Sequence, residues 1–149
     1  MEDTRWTLRI TAAPPTGASA HVRKHTFAIG APISFDAEYG AVTALEYLLG
    51  ALGADLVGGI QSVGRRRRVE IDDVEVVVHC TLHNPMVYLR VVGEQGDAGI
   101  RAIEARVYIS SLEDEARVRA VWTEMMETSP VVNTLVKAVR LDCTYQQVL

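Results

Sequence analysis

Cysteine is scarce in this chain, with only Cys80 and Cys143 among 149 residues. Two cysteines do not build the disulfide framework that holds small secreted domains together, so the fold must depend on a hydrophobic core. An excess of basic residues is also absent, since 15 Lys and Arg residues face 19 Asp and Glu residues and the formal net charge is −4. A chain without a global basic field is not expected to bind nucleic acid.

An apolar leader is absent as well. The chain starts Met-Glu-Asp-Thr-Arg, which lacks the apolar segment of a signal peptide, and we expect a cytoplasmic protein. Residues 44–63 are strongly apolar and precede Arg65–Arg68, as in a membrane span with a positive flank. However, Glu46 and Asp55 lie inside this run, and a carboxylate near the middle of a span costs roughly 2.5–3.5 kcal/mol. We therefore predict a buried helix of a soluble protein and no membrane association.

Hydrophobic residues make up 48% of the chain, which is enough for a real core, and we predict a single domain over residues 1–149. The order of strand-like and helix-like segments indicates the α+β class with an antiparallel sheet. Alternation of apolar and polar residues predicts strands over residues 6–11, 19–29, 32–35, 74–82, 86–92, 103–109 and 141–147. Capping signals predict helices that begin at Thr43, Ser111 and Ser129, the first of which continues to about Gly64.

Two segments of the chain are distinctive: Leu-Glu-Tyr-Leu-Leu-Gly-Ala-Leu-Gly-Ala over residues 45–54 and Ser-Pro-Val-Val-Asn-Thr-Leu over residues 129–135. They resemble the reactive-cysteine motifs of the OsmC/Ohr family of thiol peroxidases. The second is similar to the family's Cys-Pro-x-x-Asn-Thr-Leu with its first residue changed. The resemblance implies an OsmC-like fold in which an antiparallel sheet surrounds a central buried helix, with two further helices. It also implies an intertwined homodimer, and the small residues Gly50, Ala54 and Gly58 on one helix face are consistent with close packing there.

The chain carries Asp55 and Ser129 where this family usually has its two cysteines. A thiol peroxidase works through a thiolate, and neither a carboxylate nor a hydroxyl can be oxidised to a sulfenic acid and recycled. In a helix this apolar, Asp55 is either satisfied by an arginine or backbone groups, or it is a functional acid or the anchor of a ligand. Ser129 precedes Pro130 and is favoured as a helix cap over a catalytic residue.

Two further candidates come from the resemblance, in which a glutamate pairs with an arginine that orients the peroxide. Glu46 is the candidate acid, although it also completes a capping box with Thr43, which we favour. Arg23 is the candidate arginine, and Arg5 and Arg9 are competitors. The alternative for Arg23 is a strand residue that faces solvent.

The remaining candidates have simpler explanations. His79 and His83 share one face of a predicted strand while Cys80 points to the other, so no metal site is expected. Cys80 and Cys143 alternate with apolar neighbours and are interpreted as buried, inert thiols. Arg65–Arg68 complement the C-terminal end of the helix dipole, and an anion-binding or partner-docking patch is the alternative.

The favoured function is therefore an OsmC-like homodimer without thiol peroxidase activity and without a cofactor. Its former active-site pocket, at the dimer interface, either binds a small ligand or is filled. The alternatives are a hydroperoxide reductase or stress-response enzyme that uses Cys80 or Cys143, a non-redox catalyst that uses Asp55, and a dimerising module that binds another protein.

Overall fold

The computed structural model describes residues 4–149 and confirms the α+β class. By their contacts these residues pack as two compact units that divide after Leu48. The elements are β1 (Arg9–Ala12), β2 (Ala18–Val22), β3 (His25–Ile29), α1 (Ala44–Arg67), β4 (Asp73–Leu82), α2 (Pro85–Tyr88), β5 (Ile100–Ser110), α3 (Glu115–Thr128), α4 (Pro130–Leu135) and β6 (Arg140–Val148).

The first unit contains an antiparallel sheet with the order β1-β2-β3. The prediction of one strand over residues 19–29 is wrong, because Arg23 and Lys24 form a tight turn and Val22 pairs with His25. Arg23 adopts a left-handed backbone with φ 52° at this turn.

The predicted strand over residues 32–35 is also wrong, because these residues belong to a loop between β3 and α1. The loop is closed by a 2.7 Å hydrogen bond from the Gly30 amide to the Val42 carbonyl. Proline at position 32 has no amide to donate to a sheet, and the Ser34 hydroxyl accepts from the Asp36 amide to make a local turn.

The start of α1 is the predicted capping box. The Thr43 amide donates to the Glu46 carboxylate at 2.9 Å, and the Glu46 amide donates to the Thr43 hydroxyl at 3.1 Å. The helix extends one turn beyond the predicted end, to Arg67, and Arg68 ends it in a left-handed conformation with φ 53°. The last turn therefore contains Arg65, Arg66 and Arg67, whose positive charges interact favourably with the negative end of the helix dipole.

The second unit contains a sheet with the order β4-β5-β6. β4 and β5 are antiparallel as predicted, but β6 runs parallel to β5, so the sheet is mixed. The reason is the connection: α3 and α4 lie between β5 and β6 and return the chain to the end where β5 began, as a parallel pair requires.

The core of the second unit is formed by one face of α1, the inner face of β5 and the buried stripe of α3. Its fully or nearly fully buried members include Leu52, Leu56, Ile60, Ile103, Ala105, Val107, Ile109, Val118, Val121 and Met125. The predicted burial of α1 is therefore confirmed along this face. The opposite face, which carries Gly50, Ala54 and Gly58, is exposed in the single chain.

Two local predictions in this unit are wrong. Residues 86–92 do not continue a strand, because the Asn84 side chain accepts from the Met86 amide and Pro85 starts the short helix α2. Ser111 does not cap α3 either, since the N-cap position is Asp114 and the Ser111 hydroxyl accepts from the Glu113 amide instead. Within residues 4–149, no helix combines the length and apolar character needed to cross a membrane.

Candidate functional site

The structure brings together the two positions that resemble the family's cysteine sites. The Ser129 hydroxyl donates a hydrogen bond to Oδ2 of Asp55, although 74 residues separate them in sequence. Ser129 is buried, with 6% of its surface exposed, and Asp55 is half-buried on α1. The partner of Asp55 in this unit is therefore a hydroxyl rather than an arginine.

The corner between α3 and α4 fixes the Ser129 side chain. Ser129 ends α3, is the N-cap of α4 as predicted, and its hydroxyl accepts from the Val132 amide at 3.0 Å. Pro130 follows at the first helical position, where its missing amide costs nothing. The Asn133 amide group donates to the Ser129 carbonyl at 2.7 Å and to the Met126 carbonyl at 3.0 Å, which satisfies carbonyls at the end of α3.

Two hydrogen bonds engage the Ser129 hydroxyl. Its proton is committed to Asp55 and its oxygen accepts from Val132. A serine becomes a nucleophile when a base such as histidine removes its proton and a third group orients that base. The partner here is a carboxylate, and among the described residues no histidine contacts the Ser129 hydroxyl.

Glu46 and Arg23, the two candidates in the first unit, both belong to local structural features. Glu46 is the capping partner of Thr43, and the hydrogen bonds from Thr43 lower the pKa of its carboxyl group. The group therefore stays ionised at neutral pH. Arg23 is exposed in the turn between β2 and β3, so the prediction that it is a strand residue is wrong.

The two cysteines are half-buried rather than fully buried. Burial raises the pKa of both thiols, and Asp142 raises that of Cys143 further. Both lie on the inner face of the sheet, but Cys80 on β4 pairs with Ile103 while Cys143 on β6 pairs with Ala105. With the whole of β5 between them they cannot meet as a redox pair without rearrangement. A raised pKa reduces the thiolate fraction that peroxide chemistry needs.

The histidines considered as metal ligands and the arginines at the end of α1 were the remaining candidates. In residues 4–149 no group of three or more His, Cys, Asp or Glu side chains is placed to hold a metal ion. His83 lies 3.5 Å from Asp97, and both side chains are largely exposed. Arg66 and Arg67 both pair with Glu124 of α3, which lowers the pKa of that carboxyl group. The arginine run therefore ties α1 to α3.

Sequence reasoning missed Asn133 as a residue of this site. Its three amide contacts, to the carbonyls of Met126, Glu127 and Ser129, depend on how α3 and α4 meet. The motif over residues 129–135 contained a signal for this role, because Asn133 follows Ser129 by four residues, which is one helical turn along α4.

The fold and these motifs define an α+β protein with the OsmC-like architecture, and comparisons with known proteins agree. A family model described as "OsmC-like protein" matches residues 36–144. Since this match covers more than half of the chain, the protein belongs to the OsmC-like family.

Solved structures share the fold at low sequence identity. An OsmC-like protein from Mycoplasma pneumoniae is 16% identical with a TM-score of 0.81, and 99% of each chain is covered. An organic hydroperoxide resistance protein OsmC from Legionella pneumophila is 13% identical with a TM-score of 0.71, covering 97% of this chain and 99% of that one. OhrB of Bacillus subtilis is 14% identical with a TM-score of 0.61, covering 95% and 98%. No curated protein sequence matches the chain.

Proposed function

We propose that this chain is an OsmC-like protein that does not reduce hydroperoxides. The observation that carries the proposal is the hydrogen bond between Ser129 and Asp55, which occupies the two positions that resemble the family's cysteine sites. Reduction of a peroxide by this family's chemistry needs a thiolate and a second thiol. An Asp and a Ser supply neither.

The two cysteines of the chain do not replace the missing reactive thiols. Cys80 and Cys143 have raised pKa values and lie on strands separated by β5. A peroxide-reactive cysteine is instead a low-pKa, accessible thiol next to a resolving cysteine. The alternative in which either thiol sustains turnover is therefore disfavoured.

The test is steady-state reduction of cumene hydroperoxide with dithiothreitol as the reductant. We expect the wild-type chain, Cys80→Ala and Cys143→Ala all to show the uncatalysed background rate, because no thiolate lies at the site. A cysteine-containing member of the family in the same assay is the positive control. Turnover by the wild-type chain that disappears in either cysteine variant would reverse the proposal.

We also propose that the chain acts as a homodimer with α1 at its centre. A side chain built at Gly50 or Gly58 would meet no atom within 4 Å, and Ala54 between them is exposed. Small residues at this spacing let another helix approach closely, and between Gly50 and Gly58 every exposed residue is glycine or alanine. The N-terminal segment adds exposed apolar side chains that a partner chain could cover: Trp6, Leu8 and Ile10 are 80%, 49% and 53% exposed.

The dimer is tested by adding bulk to this open face. We expect Gly58→Phe to fold, because the position is open in the single chain, and to shift the protein from dimer to monomer in sedimentation equilibrium. The control is Thr123→Phe, which places the same side chain at an exposed position of α3 and should leave the dimer intact. A Gly58→Phe protein that remains dimeric would exclude α1 as the centre of the interface.

A further inference from the structure

The loop between β3 and α1 and the first turn of α1 line an open hollow that does not include the Asp55–Ser129 pair. Its volume is about 360 Å³, at the lower end of the range typical of small-molecule sites. The lining combines apolar side chains with two carboxylates: Ile33, Phe35, Tyr39, Leu45, Asp36 and Glu46. All of these residues belong to the first unit, so the hollow is formed by one short stretch of chain.

Hydrogen bonds hold the wall of this hollow in place. The Tyr39 hydroxyl accepts from the Ala31 amide at 2.8 Å. A Cβ at Gly30 would come within 2.8 Å of that hydroxyl, so only glycine allows the tyrosine to pack this closely. The loop is closed behind it by the bond from Gly30 to the Val42 carbonyl. The hollow is therefore preorganised, which limits the entropy lost when a ligand binds.

The charge in this region is of one sign. From Thr26 to Gly64 the sequence contains no Lys, Arg or His. Among residues 4–48, the Asp36 carboxylate accepts from the Glu38 amide and the Glu46 carboxylate accepts from the Thr43 amide, and neither forms an ion pair. Each carboxylate thus keeps a second oxygen for another donor. The Thr43 hydrogen bonds lower the pKa of Glu46, which remains charged at neutral pH.

The apolar part of the lining offers aromatic surface. The Phe35 side chain is 58% exposed, which is unusual for a phenylalanine. Tyr39, which is half-buried, also belongs to the lining. An aromatic face attracts a cation through its quadrupole, most strongly when the cation also carries apolar groups that leave water easily.

From the aromatic surface, the two carboxylates without cationic partners and the size of the hollow, we infer that this hollow binds a small organic ammonium ion. The apolar substituents of the ligand rest on Phe35 and Tyr39, and its positive nitrogen faces Asp36 and Glu46. An anion is excluded by like charge, and an uncharged apolar molecule would leave the carboxylates without a partner. This inference is independent of the loss of peroxidase activity, because the hollow contains neither Asp55 nor Ser129.

The probe is benzyltrimethylammonium, titrated into the full chain at low salt and followed by isothermal calorimetry and ligand-observed NMR. We expect saturable binding that weakens by about tenfold in Asp36→Asn combined with Glu46→Gln, since each exposed ion pair contributes a factor of a few. Glutamine at position 46 still closes the capping box, so this variant should fold. Phe35→Ala should weaken binding by about threefold through loss of the cation–π contact.

The control is Glu38→Gln, which removes one negative charge from the loop that carries Asp36, at an exposed residue outside the lining. It should bind the probe like the wild-type chain. Benzyl alcohol, which has the ring without the charge, should bind at least tenfold more weakly by the same ion-pair reasoning. An absence of saturable binding, equal binding of benzyl alcohol, or an equal loss in Glu38→Gln would each overturn the inference. None of these results bears on the hydroperoxide assay.

Discussion

Replacing Ser129 with alanine is expected to lower the free energy of unfolding by about 2–4 kcal/mol. The substitution removes the cap of α4, which leaves the Val132 amide without its acceptor. It also removes the donor that faces the half-buried Asp55 carboxylate. Loss of a helix cap costs about 1 kcal/mol, and a buried group left without its partner costs about 1–3 kcal/mol more. Urea unfolding followed by circular dichroism measures the difference.

The control for this prediction is Ser129→Thr, which keeps a hydroxyl group at the cap and should retain most of the stability. A double-mutant cycle with Asp55→Ala then isolates the contact, and we expect a coupling energy of about 0.5–3 kcal/mol. A Ser129→Ala protein as stable as the wild-type chain would show that the hydrogen bond between Ser129 and Asp55 does not hold this corner. The structural explanation of both residues would then fail.

The second large effect is expected from Leu56→Ala in α1. Leu56 is fully buried and belongs to the core between α1, β5 and α3. Its truncation removes apolar contacts and leaves a cavity, which costs about 2–5 kcal/mol in the free energy of unfolding. The same urea experiment measures it.

Leu112→Ala is the matched control for the core substitution. Leu112 is 83% exposed, so the same chemical change should alter the free energy of unfolding by less than about 0.5 kcal/mol. Equal losses in the two variants would mean that α1 does not pack against this core.

Local signals predicted several elements well because their physics is contained in a few neighbouring residues. The capping box of Thr43 and Glu46 and the cap at Ser129 followed by Pro130 both form as predicted. Several errors fall where one local signal overrides another. The segment after Asn84 is apolar enough for a strand, but the asparagine cap and Pro85 turn it into a helix.

The candidate site shows the same division. The motifs at residues 45–54 and 129–135 were sufficient to select Asp55 and Ser129 as a pair worth attention. The sequence left open whether Asp55 meets an arginine, the backbone or a ligand. Within the second unit, Asp55 accepts a hydrogen bond from the Ser129 hydroxyl. This contact depends on where α3 ends relative to α1. A contact across 74 residues depends on the packing of both helices on one core, and no local pattern encodes it.

What the sequence by itself determined is the class of fold, the starts of α1 and α4, and the absence of sulfur at the two motif positions. These follow from composition, short-range hydrogen bonding and the identity of single residues. The tertiary structure alone decided that β6 runs parallel to β5, that Cys80 and Cys143 are kept apart by that strand, and that Ser129 bonds to Asp55. The physical reason is that each of these depends on how distant segments share one buried core, where packing and pairing of polar groups select one arrangement among several that the local sequence allows.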